Sequence, residues 1–385
     1  MMKFEFATSS RIVFGAGRIS GLGPWAAAFG SRAMLVTGKN VARAEPVADL
    51  LGDAGIAVEI VPVAGEPTIG MVGEAAEAAR SWIADLVVGC GGGSAIDAAK
   101  AIAALATNEG APLDYLEVIG AGKPLARDPL PMVAIPTTAG TGAEVTRNAV
   151  LASPEHKVKV SLRHPLMLPD VALVDPELSH SLPPGVTAAT GLDALTQLIE
   201  SYTSCRANPL TDAVCLEGIR RAGRSLRRVF DDGSDAGARE DMALASLFGG
   251  LALANAGLGA VHGFAGPLGG MFAAPHGALC AALLPHVMRA NVERLRERGD
   301  GAGGVEKFEE LARIVTGEAD VPIRDGIEWV ARLCRDLKTP GLASFGIAKA
   351  DFPAIVEKAG HASSMKGNPV ELTDKELTAI LERAL

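Results

Sequence analysis

Apolar and polar positions follow two rhythms in the first half of the chain. RAMLVTG (32–38), IAVEIVPVAG (56–65), DLVVGCGGGS (85–94) and PMVAIPTTAGTG (131–142) are short aliphatic runs ending in turn or loop residues, which predicts strands. Between them VARAEPVADLLGDAG (41–55), MVGEAAEAARSWIA (71–84) and SAIDAAKAIAALAT (94–107) carry helical periodicity, the first stopped by Gly55. FGAG (14–17) reads as a plain turn after a first strand. The alternation of strand and helix predicts a mostly parallel α/β sheet. Past Pro183-Pro184, strand-like runs become rare and Ala/Leu/Arg-rich helical segments take over at 186–203, 209–230 and 238–257. The double proline therefore divides an α/β domain, residues 1–183, from a helical domain, residues 184–385. DDGSDAG (231–237) and RGDGAGG (298–304) read as interhelical loops.

Composition narrows the function classes. The chain has 385 residues, more than the roughly 250–300 that one core usually spans. Hydrophobic residues make up 48% and 45 glycines are present, so an ample, tightly packed core is expected. A net charge of −9 with no Lys/Arg cluster argues against nucleic acid as a partner. Phosphate ligands stay open, because backbone amides at a helix start can hold them. Five scattered cysteines with no C-x-x-C fit reduced, buried thiols in a cytoplasmic protein. MMKFEFATSSRIVFG lacks the apolar stretch of a signal peptide, and no apolar run is long enough to predict a membrane span.

Three segments carry candidate chemistry. TGLDALTQLIESY (190–202) and GAVHGFAGPLGGMFAAPHG (259–277) hold Asp193, His262 and His276, a carboxylate and two imidazoles suited to Zn²⁺ or Fe²⁺. Gln197 stands one helical turn after Asp193 on the same face, where a third imidazole would complete a conventional four-ligand set. GCGGGSAIDAAK (89–100) runs from a buried strand through three glycines into a helix start. Ser94 and the first helical amides there offer donors to a pyrophosphate, and the bland alternative is a tight turn. IPTTAGTGAEVT (135–146) places Thr137, Thr138 and Thr141 where hydroxyls bond a ribose, a phosphate or an amide, or simply cap a turn.

Taken in order, GCGGGSAIDAAK, IPTTAGTGAEVT, GLDAL (191–195), ANPLTDA (207–213) and PHGALCAALLPHVM (275–288) resemble the iron-containing (group III) alcohol dehydrogenase family. The resemblance implies a dehydroquinate synthase-like fold, with an N-terminal dinucleotide-binding α/β domain, an all-α C-terminal metal and substrate domain, and an active site in the cleft between them. It implies hydride transfer between NAD(P)(H) and an alcohol, aldehyde or ketone, with the metal acting as Lewis acid. Gly91, Gly92, Gly93 and Ser94 would hold the pyrophosphate, with Asp97 and Lys100 in the same motif. Thr137, Thr138 and Thr146 would line the nicotinamide side, and Lys157 or Lys159 would reach the cofactor. Asp193, His262 and His276 fall on three family ligand positions, with Gln197 on the fourth. Gly266 replaces a histidine common near the nicotinamide, which predicts room for a bulkier or more polar substrate. Gly38, beside Lys39, stands where NAD-preferring relatives often carry an aspartate, so NADP is acceptable. The resemblance also implies a homodimer, with FEFATSSRIVFG as the candidate pairing segment. Three rival readings of the same fold remain: a metal-free reductase resembling maleylacetate reductase, a non-redox lyase of the dehydroquinate synthase type, and a non-catalytic cofactor-binding protein.

Overall fold

The computed structural model describes residues 3–156, 158–298 and 304–385. Lys157 lies outside the described residues, as does most of the 298–304 segment. The chain forms two compact units. One comprises Thr8–Thr138 and Gly142–His180; the other comprises the N-terminal segment through Ala7, Ala139–Thr141 and Ser181–Leu385.

The first unit is an α/β layer structure. Its strands are β1 (Arg11–Phe14), β2 (Arg32–Gly38), β3 (Ala57–Val63), β4 (Leu86–Gly91), β5 (Met132–Pro136), β6 (Asn148–Ser153), β7 (Val158–Arg163) and β8 (Val171–Val174). Six of them form one parallel sheet in the order β1-β8-β5-β4-β2-β3. Helices α1 (Leu22–Ala27), α2 (Glu45–Asp53), α3 (Ile69–Ser81) and α4 (Gly93–Thr107) complete the unit. Side chains alternate across a strand, so one strand feeds two cores. In β2, Met34 and Val36 join a core containing α3 and α4 residues such as Val72 and Ile102, whereas Ala33 and Leu35 join Leu22 and Leu51 of α1 and α2. Central strands covered on both faces read as continuous aliphatic runs, which is why β4 and β5 are buried throughout. Pro62 is tolerated because β3 lies at the sheet's edge.

The hairpin of β6 and β7, antiparallel with Asn148 opposite Arg163, adds an element that the hydrophobic pattern does not predict. Its strands mix asparagine, lysine and arginine with valine and leucine, so no apolar run marks them. Behind it lies a buried ionic network. Lys100 is 1% exposed and donates to Thr146 Oγ1 and Asn148 O, both at 2.8 Å, while facing Asp97 Oδ1 at 3.4 Å. Asp97 Oδ2 accepts the Val150 amide, which ties α4 to β6.

Close by, burial pushes the Glu144 carboxyl up to about 7, with its own backbone amide and Lys100 pulling the other way. A carboxyl whose pKa is raised on folding favours the native state at low pH and loses that contribution as pH climbs through the native value. From the ordinary 4.5 to about 7, this amounts to about 3 kcal/mol. Denaturant titrations at about pH 5 and pH 8 should therefore show that Glu144→Gln flattens the alkaline loss of stability seen in the unmodified protein. Parallel pH profiles for the two proteins would refute this.

The second unit is helical among its described residues. It contains α5 (Pro184–Thr203), α6 (Pro209–Asp231), α7 (Ala236–Ala256), α8 (Ala260–Met271), α9 (His276–Arg298), α10 (Gly304–Thr316), α11 (Ile323–Asp336), α12 (Phe352–His361) and α13 (Asp374–Ala384). Proline suits the first turn of a helix, and Pro184 opens α5. Its core joins Leu192, Leu195 and Ile199 of α5 to Phe264 of α8 and Leu279 and Leu283 of α9. Among the described residues no single helix is long and apolar enough to cross a membrane. The α7–α8 pair is long and apolar enough only when taken together, and it is bent by 99°.

Candidate metal centre and nucleotide loop

Three helices of the second unit converge their polar side chains in an apolar core. Asp193 lies on α5, His262 in the first turn of α8, and His276 at the start of α9. Asp193 Oδ1 is 3.3 Å from His262 Nε2 and 3.8 Å from His276 Nε2, and the two rings stand 5.3 Å apart. Asp193 and His262 are 3% and 8% exposed, whereas the His276 side chain is 35% exposed. Cys280 Sγ completes the group, 3.9 Å from His262 Nε2. One ligand atom from each of the four residues lies within 4.8 Å of all the others.

The electrostatics match this crowding. Burial works to raise the Asp193 carboxyl, yet His276 and His262 hold it below the usual carboxylate range. Burial works to lower His262 and His276, but Cys280 and Asp193 lift both above the usual imidazole range. The Cys280 thiol is drawn down against burial by the same two imidazoles. Burial alone pushes Cys90 and Cys334 up to about 12. The expectation that all five cysteines are inert buried hydrophobes is thus corrected twice: Cys205 is exposed, and Cys280 belongs to the polar cluster.

Glu200 organises the cluster. It is 5% exposed, and its Oε1 accepts the Val261 amide at 2.6 Å while Oε2 accepts the His262 amide at 3.3 Å. Oε2 also receives His262 Nδ1–H at 2.7 Å. A carboxylate at a helix start satisfies orphan amides and complements the dipole, so Glu200 caps α8 from outside that helix. The same bond points His262 Nε2 toward Asp193 and would leave that nitrogen free to bind a metal once deprotonated, the arrangement that metal-binding histidines use. Gly259 makes room for it, since a Cβ there would sit 2.8 Å from Glu200 Oε1. Sequence reasoning missed both Glu200 and Cys280. Glu200 is seven residues after Asp193 and Cys280 four after His276, each on the same helix face as its partner, so spacing alone held the signal. Gln197, by contrast, turns Nε2 to Asp193 Oδ2 at 3.5 Å, and its Oε1 is buried with no hydrogen-bond partner.

Most of the residues expected to bind the cofactor lie in the first unit. β4 ends at Gly91, Gly92 is the N-cap of α4 with no side-chain cap bond, and Gly93 and Ser94 open the helix. A Cβ on Gly91 would lie 2.7 Å from Ala95 Cβ and 3.5 Å from the Gly38 amide; one on Gly92 would lie 3.4 Å from the Thr138 side chain. The Thr137 amide donates to Gly91 O. Gly38, Gly91, Gly92, Thr137 and Thr138 are therefore brought together around the uncapped start of α4. Thr146 and Asp97 belong instead to the Lys100 network behind them, and Lys159 pairs with Glu66 at 2.9 Å. Thr141 lies in the second unit, in the short segment Ala139–Thr141.

Residues 9–176 match the family described as iron-containing alcohol dehydrogenase, and residues 187–385 match its C-terminal family. A choline dehydrogenase of Bacillus subtilis is 36% identical, over 100% of this chain and 96% of its own length. The crystal structure of a 1,3-propanediol oxidoreductase superposes with a TM-score of 0.92 at 36% identity, covering 100% of both chains. A sulfoacetaldehyde reductase from Bifidobacterium kashiwanohense, solved with NAD⁺, gives a TM-score of 0.87 at 28% identity over 100% of this chain and 99% of its own. The chain belongs to the iron-containing alcohol dehydrogenase family, whose members move a hydride between a nicotinamide cofactor and an alcohol or its carbonyl counterpart.

Proposed function

We propose that this protein is a metal-assisted carbonyl reductase that uses NADPH and acts on aldehydes or ketones larger than the smallest members of those classes. The observation that carries the proposal is the convergence of Asp193, His262 and His276, with Glu200 fixing His262 as a donor of Nε2. A carboxylate with two imidazole nitrogens 3.3 and 3.8 Å away is a donor set that a divalent ion can occupy once the imidazoles give up their protons. A divalent ion held by Asp193, His262 and His276 would supply Lewis acidity toward a substrate oxygen. The reduced nicotinamide supplies the hydride.

The chain's own residues hold and orient. Glu200 keeps His262 in one tautomer, and burial keeps Asp193 and His262 from solvent while the His276 side chain stays partly open to it. The uncapped amides at Gly93 and Ser94 favour a pyrophosphate, and Gly91 and Gly92 allow its close approach. A Cβ at Gly38 would meet nothing within 4 Å, so this end of β2 offers neither an acid nor bulk against a 2′-phosphate. Gly266, one turn after His262 on the same helix face, likewise faces open space, which supports a roomy substrate site. Reduced thiols and the absence of a spanning helix among the described residues support a cytoplasmic setting. The outer edge of β1, unpaired in the described sheet, supports a homodimer.

The test is NADPH and NADH oxidation over a carbonyl panel with chelator-stripped protein, followed by addition of Fe²⁺, Zn²⁺ or Mn²⁺. Activity should vanish on stripping, return with one of the metals, and show the lower KM for NADPH. Turnover indifferent to metal would overturn the metal role, and a strong NADH preference would overturn the reading of Gly38.

A further inference from the structure

We infer that Cys280 Sγ is the fourth protein ligand of the metal centre, giving an Asp-His-His-Cys donor set that favours zinc or cobalt over manganese or magnesium. The inference rests on the metal reading above and concerns which atoms make the site.

Four donors around one ion with bonds of about 2.0–2.1 Å to oxygen or nitrogen and about 2.3 Å to sulfur stand roughly 3.3–3.6 Å apart when tetrahedral. The separations here, 3.3 Å for Asp193 Oδ1 to His262 Nε2, 3.8 Å for Asp193 Oδ1 to His276 Nε2 and 3.9 Å for Cys280 Sγ to His262 Nε2, lie at or slightly above those edges. The thiol is fully buried and stands one helical turn after His276 on α9, so both side chains leave the same face of one helix.

Gln197 does not compete for the place. Its nitrogen faces Asp193, and an amide N–H₂ has no lone pair to give. On the far side, Oε1 lies 3.1 Å from where a Gly249 Cβ would be, toward α7. Gln197 therefore braces Asp193, and the vacant fourth corner belongs to sulfur.

The chemistry of the site changes with that donor. Asp193 and a Cys280 thiolate together neutralise a divalent ion, whereas an aspartate with three imidazoles leaves one positive charge. A thiolate also favours soft or borderline ions, so zinc and cobalt are held in preference to manganese or magnesium.

Cobalt makes the sulfur visible. Protein loaded with one Co²⁺ per chain should show a near-ultraviolet thiolate-to-cobalt charge-transfer band. Cys280→Ser should lose the band and bind cobalt more weakly, while Cys205→Ser, changed at the exposed cysteine, should keep it. X-ray absorption on zinc-loaded, unsubstituted protein gives the same answer without a variant, as one sulfur neighbour at about 2.3 Å. Stoichiometric metal with only nitrogen and oxygen neighbours and no charge-transfer band would overturn the ligand assignment and leave the metal-assisted function standing. A protein that binds no cobalt or zinc yet reduces carbonyls would overturn both.

Discussion

Asp193→Ala should empty the metal centre and lower kcat/KM for carbonyl reduction by about 10³-fold or more, roughly 4 kcal/mol of lost transition-state stabilisation. The size of the effect follows from the position of one oxygen. Asp193 Oδ1 is the atom that both His262 Nε2 and His276 Nε2 face, so removing it leaves two imidazoles with no anion between them. His262, His276 and Cys280 remain, but with one anionic donor gone they hold the ion much less tightly. Metal content by elemental analysis and kcat/KM on the same preparation check the claim, with far-ultraviolet circular dichroism confirming that the helices persist. A variant that keeps its metal and loses less than about tenfold in kcat/KM would place the chemistry elsewhere.

Gly277→Ala should be nearly as damaging, by a different route. A Cβ at Gly277 would fall 2.0 Å from Ala189 O and 2.6 Å from Ala189 C. Both are backbone atoms of α5, which cannot rotate aside as a side-chain tip can. The start of α9 must then move away from α5, and His276 moves with it. Overpacking of this kind commonly costs 1–3 kcal/mol, and a clash with main chain belongs at about 3 kcal/mol. Calorimetry should show a clearly lowered Tm and elemental analysis a substoichiometric metal load. An unchanged Tm would mean that the two helices are not in contact at this point in solution.

The legible parts of the fold were those whose pattern answers to a single rule. β2, β4 and β5 announce themselves because strands covered on both faces must be aliphatic throughout, and α4 follows a glycine run that few other structures need. The β6–β7 hairpin was hidden because half-exposed strands carry lysine, arginine and asparagine, which resemble loop composition. β8 spans only Val171–Val174, too short to show a period.

At the candidate centre, Asp193, His262 and His276 stood out because a carboxylate and two imidazoles suit a divalent ion and fall on family ligand positions. Glu200 and Cys280 did not. Glutamate is ordinary on a helix, and a lone cysteine usually packs as a small hydrophobe. Their contributions come from α8 and α9 meeting α5, which only tertiary structure reveals. Nor could the sequence tell which end of the Gln197 amide faces the carboxylate.

Glu200 joins two processes that are usually separate. One carboxylate both starts α8 and orients a metal-binding nitrogen, so assembly of the helix and loading of the ion draw on the same group. The two equilibria are therefore linked, and linkage is reciprocal. Metal should make the beginning of α8 slower to open to solvent exchange, and anything that frays this turn should loosen the metal, even a change that touches no ligand. A centre loaded as proposed would thus double as a folding clamp, and metal-free protein should show a looser beginning of α8.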